Sequence, residues 1–233
     1  MLTPARITAI AEIALCSGVL TQLAVGTALR AAGVPMFNPA GGLALSFVMA
    51  LSLLNALLVI GLMIVLTRAR GQSLSDLWLG YRPVIREAWY GALLIPVVFV
   101  LVVVLLNALR VLAPGLRNVQ VNPLEQLATT PGAAAMFAGV AILAGGVLEE
   151  MQRAFLLQRF ERHLGGVRVG IVLLSIGFGL GHAVQGWDAV VATGVLGAFW
   201  AVLYVRRRSV VAPMVSHAGF NALEVLRVAI WGM

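Results

Sequence analysis

Residues Leu43 to Thr67 read LALSFVMALSLLNALLVIGLMIVLT, without one charged side chain. A helix rises 1.5 Å per residue, so about 20 apolar residues cross a hydrocarbon core roughly 30 Å thick, and this run is long enough. Outward from it the same pattern repeats. Seven apolar runs read as membrane-spanning helices: Ile7 to Leu29, Leu43 to Thr67, Ala88 to Leu109, Ala134 to Gln158, Val169 to Gly186, Ala189 to Val205 and Val210 to Trp231. Apolar residues make up 61% of the 233 and charged residues 11%, against roughly a quarter charged in soluble domains, which excludes a soluble fold. The expected class is all-α: a polytopic membrane helix bundle of about seven transmembrane helices, a single membrane domain over 1–233. The first run is too long for a signal-peptide core and reads as a retained span.

The net charge of +7 does not point to nucleic acid, because the charges sit between the apolar runs, where lipid accounts for them. All sixteen basic residues are arginine. Eleven lie at one side of the expected bundle: Arg6, Arg68, Arg70, Arg82, Arg86, Arg159, Arg162, Arg168, Arg206, Arg207 and Arg208. Three, Arg30, Arg110 and Arg117, lie at the other. The positive-inside rule then puts the N-terminus in the cytoplasm, in what reads as a bacterial cytoplasmic membrane. Cys16 is the only cysteine, so no intrachain disulfide and no cysteine metal cluster can form.

Two connections have readable detail. Ser73-Leu-Ser-Asp76 has capping-box spacing, and Leu74, Leu77, Trp78 and Tyr81 follow at helical intervals, predicting a short helix on the cytoplasmic face. Pro114 to Pro131, with Asn118, Asn122 and Pro123, reads as an external loop with turns. Gly177-x-Gly179-x-Gly181, Gly145-Gly146, and Gly194 with Gly197 read as small residues for close helix packing, since no strand precedes them as a nucleotide loop requires. Glu12 is either a lining residue or a buried hydrogen bonder. Glu224 and Arg227, three apart, pair with each other.

Ionisable groups near mid-membrane cost a few kcal/mol on insertion scales and call for a partner or a purpose. They concentrate in the last hundred residues: Glu149, Glu150, Gln152 and Arg153 in the fourth run, His182 in the fifth, His217, Asn221, Glu224 and Arg227 in the seventh. Residues four apart share a helix face, so Glu149 with Arg153, and His217 with Asn221, can each point into the bundle. The 1.5 Å rise places Glu149 about 15 Å, His217 about 10 Å and Asn221 about 17 Å below the cytoplasmic end. His-Glu-x-x-His and Gly-x-Ser-x-Gly are both absent, and Ser216 points about 100° away from its neighbour His217. What remains is a carboxylate and a histidine able to deprotonate water, with a second histidine and an amide able to donate to an oxyanion. That inventory suits amide hydrolysis.

The motifs Glu149-Glu150-Met-Gln-Arg153, Phe178-Gly-Leu-Gly-His182 and His217-Ala-Gly-Phe-Asn221, in this order, resemble the CPBP family, the CAAX prenyl endopeptidase and bacteriocin-processing group also called Abi. The resemblance covers a core at about 132–233. The second and third motifs match fully; the first is one residue short of the family's Glu-Glu-x-x-x-Arg. Aligning on Arg153-Ala-Phe155 sets Leu148 and Glu149 against the two glutamates, whereas aligning on the glutamates displaces Arg153 by about 100°. Glu149 is favoured as the base because it shares a face with Arg153, with Glu150 as the alternative. The resemblance implies that a glutamate and His182 activate water, that His217 and Asn221 stabilise the oxyanion, and that Arg153 and Phe178 support them. No cofactor is expected, although Glu149, His182 and His217 could ligate zinc with one open position. The expected activity is cleavage of a membrane-associated protein or peptide near the cytoplasmic face. The rival is a non-catalytic relative that binds and regulates a membrane partner.

Overall fold

The computed structural model describes residues 3–231 and is all-helical there, with one isolated bridge between Phe37 and Leu43. Ten α-helices follow in order: α1 Pro4–Cys16, α2 Val19–Ala31, α3 Leu45–Ala69, α4 Leu74–Trp78, α5 Val84–Leu112, α6 Pro131–Val140, α7 Glu149–His163, α8 Val167–Leu180, α9 Trp187–Arg207 and α10 Val211–Trp231. Among the described residues, five helical stretches are long and apolar enough to cross a membrane: Pro4–Ala31, Leu45–Ala69, Val84–Leu112, Pro131–His163 and Trp187–Arg207. Together they make an integral membrane protein. Five of the seven expected spans thus have the length and apolarity of a membrane-crossing helix. The fifth run yields α8, only 14 residues long, and the seventh yields α10, 21 residues that carry His217, Asn221, Glu224 and Arg227.

The first run is one span in two helices. Gly18 has φ 82°, which ends the right-handed geometry between α1 and α2. The break frees the Cys16 carbonyl, and the Gln152 amide donates to it from α7. The fourth run is also interrupted. Between α6 and α7, residues Ala141–Leu148 form a π-helix, whose wider turn rotates everything that follows, Glu149 and Glu150 first.

Small residues bring the helices together. A Cβ on Gly146 would sit 2.5 Å from the Ala218 Cβ of α10, and one on Gly179 would sit 2.5 Å from the Val190 carbonyl of α9. Both positions were read as packing glycines, as was Gly197, where a Cβ would meet the Phe178 ring at 2.9 Å.

The arginine-rich end is closed by ion pairs. Glu12 is buried and accepts from Arg70 and from Arg159 at 2.7 Å each, which resolves it as a buried hydrogen bonder. Arg159 itself corrects an expectation: α7 continues to His163, so this arginine is not in a connection but 1% exposed inside the bundle, stacked on Phe155. Arg207 is paired with the buried Glu87, and Arg208 with Glu161 at 2.7 Å. Ser73 caps α4 by accepting from the Asp76 N–H, and Leu77 and Trp78 of that helix are buried. Trp78 donates to the Met151 carbonyl and Tyr204 to the Leu77 carbonyl, tying α4 to α7 and α9.

The other end holds the loop 113–130, with short 3-10 turns at Pro114–Leu116 and Glu125–Leu127. Asn118 accepts from the Trp187 N–H and Asn122 donates to Gln185, so the loop is fastened to the α8–α9 connection. Arg227 pairs with Glu224 as expected, at 3.1 Å, and also with Glu125 of the loop at 2.9 Å.

Candidate active site

The π-helix delivers two adjacent carboxylates to different surroundings. The Glu150 side chain is 1% exposed, and its Oε1 accepts both from Arg153 and from His217 Nδ1, the latter at 2.8 Å. The Glu149 side chain is 29% exposed, and its Oε2 stands 3.8 Å from His217 Nε2. The expected partnership of Arg153 with Glu149 is therefore replaced by Arg153 with Glu150. Three residues apart on one helix, this pair also shares a face, and the carboxylate that can meet His217 in the core takes the arginine. Glu149 is left facing a cavity.

That cavity measures about 740 Å³, within the range of small-ligand and peptide sites. Glu149, Phe178, His182, His217 and Asn221 all line it, so three separate sequence motifs on α7, α8 and α10 converge on one space. Glu150 and Arg153 stand behind the wall.

The ring atoms are oriented by their partners. His182 Nδ1 lies 2.8 Å from the Phe178 carbonyl, which can only accept, so Nδ1 carries the proton and Nε2 of the neutral ring holds a lone pair. This bond forms because α8 stops at Leu180, before the expected Gly186, and the chain turns at Gly181 and His182. The Phe178 ring meets His182 edge-on at 4.8 Å and His217 at 6.1 Å. His217 donates through Nδ1 to Glu150 and presents Nε2 toward Glu149. Asn221 donates one amide hydrogen to the Ala141 carbonyl at 3.1 Å, and its second remains for a ligand. Ala141 opens the π-helix, and Gly145 lies where a Cβ would come 2.4 Å from the Asn221 Nδ2.

One participant escaped the sequence reading. Trp200 of α9 stacks on His217 at 3.7 Å with the rings 15° apart, and its Nε1 donates to Ser216 at 3.4 Å. Its signal was an indole N–H inside an apolar run, which needs a partner. Ser216 is fully buried and outside the cavity lining, in line with its exclusion as a nucleophile.

The depth estimates change with the helix ends. Because α7 runs to His163, Glu149 lies about 21 Å from the arginine-rich end, not about 15 Å. As for zinc, no three His, Cys, Asp or Glu side chains among the described residues gather as a metal site. Both imidazole Nδ1 atoms are held by acceptors, so each ring has its Nε2 left for other partners, and Glu149 stands 3.8 Å from that of His217.

Residues 131–223 match the protein family described as type II CAAX prenyl endopeptidase Rce1-like. The matched stretch contains all three motifs and the π-helix. No curated protein and no solved structure matches the chain.

Proposed function

We propose that this chain, which over residues 131–223 matches the Rce1-like family of CAAX endopeptidases, is an intramembrane endopeptidase hydrolysing a peptide bond of a membrane-associated substrate without a metal. The observation that carries this reading is the convergence of Glu149, His182, His217 and Asn221 on one cavity.

In the proposed reaction a water held between Glu149 and His182 attacks the peptide carbonyl carbon. Glu149 accepts the water proton, the new C–O bond forms, and the carbonyl π-electrons move to oxygen. Asn221, through its free N–H, donates to that oxyanion, and the ring of His217, held through Nδ1 by Glu150, lines the space beside it. Collapse breaks the C–N bond, and the proton on Glu149 passes to the departing amine. Glu150 acts as a positioning residue: by accepting from His217 Nδ1 it fixes the ring that Trp200 stacks against, while Arg153 balances its charge. The seven-helix arrangement belongs to the same reading, with α8 and α10 completing the bundle and the N-terminus in the cytoplasm.

Reconstituted protein tests it. Wild type should cleave a membrane-anchored candidate peptide, and Glu149→Gln, His182→Ala and Asn221→Ala should not, with insertion intact in all three. Partner binding that persists in the three variants, with no cleavage by the wild type, would favour the regulatory alternative.

A further inference from the structure

The imidazole of His217 is held at its edge by one bond, from Nδ1 to Glu150 Oε1 at 2.8 Å. Hydrogen bonds tolerate a broad range of angles, so this bond alone permits a tilt of the ring that would carry Nε2, 3.8 Å from Glu149, off line. Restraint of the tilt has to come from what lies against the ring's face. Trp200 lies there: its indole is 3.7 Å from the imidazole with the two planes 15° apart. Phe178 meets the same ring edge-on, at 6.1 Å and 85°.

The indole is itself fixed. It is 1% exposed, and its Nε1 donates to Ser216 Oγ at 3.4 Å. Ser216 directly precedes His217 on α10, so Trp200 is tied to the same turn of helix whose ring it covers. With the N–H satisfied by Ser216, the π-face is what Trp200 offers His217. Arg153, already paired with Glu150, brings its guanidinium carbon 5.8 Å from the Trp200 ring and 4.8 Å from that of Phe178. The bland account is packing, because Trp200 also sits in an apolar cluster with Val98, Leu196, Leu203 and Ala212. Packing asks only for apolar volume, which leucine or methionine supplies in part, whereas a parallel stack asks for a flat ring.

We propose that Trp200 is a positioning residue of the site, holding the plane of the His217 imidazole so that Nε2 stays beside Glu149. Its effect on turnover rests on the peptidase reading; the held ring itself can be measured without catalysis.

The chain has three histidines, His163, His182 and His217, so ring-labelled histidine gives three sets of imidazole proton resonances in the solubilised protein, assigned by single histidine replacements. Protons over an indole face are displaced upfield. The His217 resonances of the wild type should therefore lie upfield of their position in Trp200→Leu, with Trp200→Phe in between. On a cleaved peptide, Trp200→Leu should lower kcat about tenfold with KM nearly unchanged, and Trp200→Phe should recover most of the loss. Should Trp200→Leu fail to insert, Trp200→Met takes its place. His217 resonances that coincide in wild type and Trp200→Leu would overturn the proposal. So would equal turnover by the leucine and phenylalanine variants, which would reduce the position to apolar packing. If the upfield displacement is present and lost in Trp200→Leu but the wild type cleaves nothing, the peptidase reading fails and the held ring stands.

Discussion

The two ends of the bundle are both charged and use charge in opposite ways. At the arginine-rich end carboxylates are consumed: Glu12 serves two arginines, Glu87 serves Arg207 and Glu161 serves Arg208. At the loop end Arg227 is paired with Glu125 and Glu224, but among the described residues Arg110 and Arg117 have no ion pair and face the cavity. One end spends polar groups on closure; the other leaves them pointing into space. The neighbours Glu149 and Glu150 repeat this contrast within one helical turn, one facing the cavity and one held by Arg153 and His217. Charge in a membrane bundle is therefore either structural or reactive according to whether its partner is already in place, and substitutions can test which.

The largest effect should come from Glu149→Gln. Losing a general base costs about 100 to 10,000-fold in turnover. Because Glu149 accepts no hydrogen bond that closes the core, its variant should keep the thermal stability of the wild type in detergent. A matching loss of stability would move Glu149 to the structural class. At the closed end Glu12→Ala should do the converse. Breaking a buried ion pair costs about 3–5 kcal/mol, and here it leaves Arg70 and Arg159 facing each other. The melting temperature should fall sharply while turnover per folded molecule holds. A variant that melts like the wild type but is catalytically dead would erase the distinction between the ends.

Asn221→Ala comes next. Removing one oxyanion donor typically costs about 100 to 1,000-fold in kcat, with little change in KM because the bond strengthens only as charge develops. A rise in KM alone would make Asn221 a substrate binder. Phe178→Ala should be milder. Edge contacts between rings are worth about 0.5–1.5 kcal/mol, so loosening His182 and His217 together should lower kcat about tenfold in a protein that still inserts. Unchanged turnover would reduce Phe178 to packing against Gly197.

Sequence alone carried the helical class, the packing glycines 146, 179 and 197, the Ser73 cap, the Glu224–Arg227 pair and five residues of the cavity lining, Glu149, Phe178, His182, His217 and Asn221. It misread whatever depended on a helix changing its pitch or its end. The stop at Gly18 needs a backbone φ that an apolar run does not advertise. The π-helix shifts Glu149 and Glu150 around the axis, so a face computed at 100° per residue gave Arg153 to the wrong carboxylate. Arg159 looked like a connection residue because apolar periodicity fades after Gln158, yet its partner Glu12 lies 147 positions away and only folding brings it near.

The smallest effect expected is at the rim of the closed end. Arg208 is the only non-glycine residue with positive φ among those described, at 53°, and it ends α9. A left-handed conformation costs a non-glycine residue roughly 1–2 kcal/mol, which glycine does not incur. Against that, Arg208 donates to both carboxylate oxygens of Glu161, at 2.7 and 2.8 Å, but its side chain is 55% exposed, where such pairs contribute about 0–1 kcal/mol. The two terms have opposite signs and similar size, so Arg208→Gly should leave the melting temperature near that of the wild type, or slightly above it. Glu161→Ala removes only the favourable term and should lower it slightly, more so at low salt than at high. The turn cannot be relaxed from the other side: a Cβ on Gly80, whose φ is 64°, would lie 2.1 Å from the Arg208 carbonyl oxygen, so Gly80→Ala should be clearly destabilising. If Arg208→Gly instead melted as low as Glu12→Ala, the exposed pair would be contributing like a buried one, and the closed end would be a single charge network rather than a buried lock with a solvated rim.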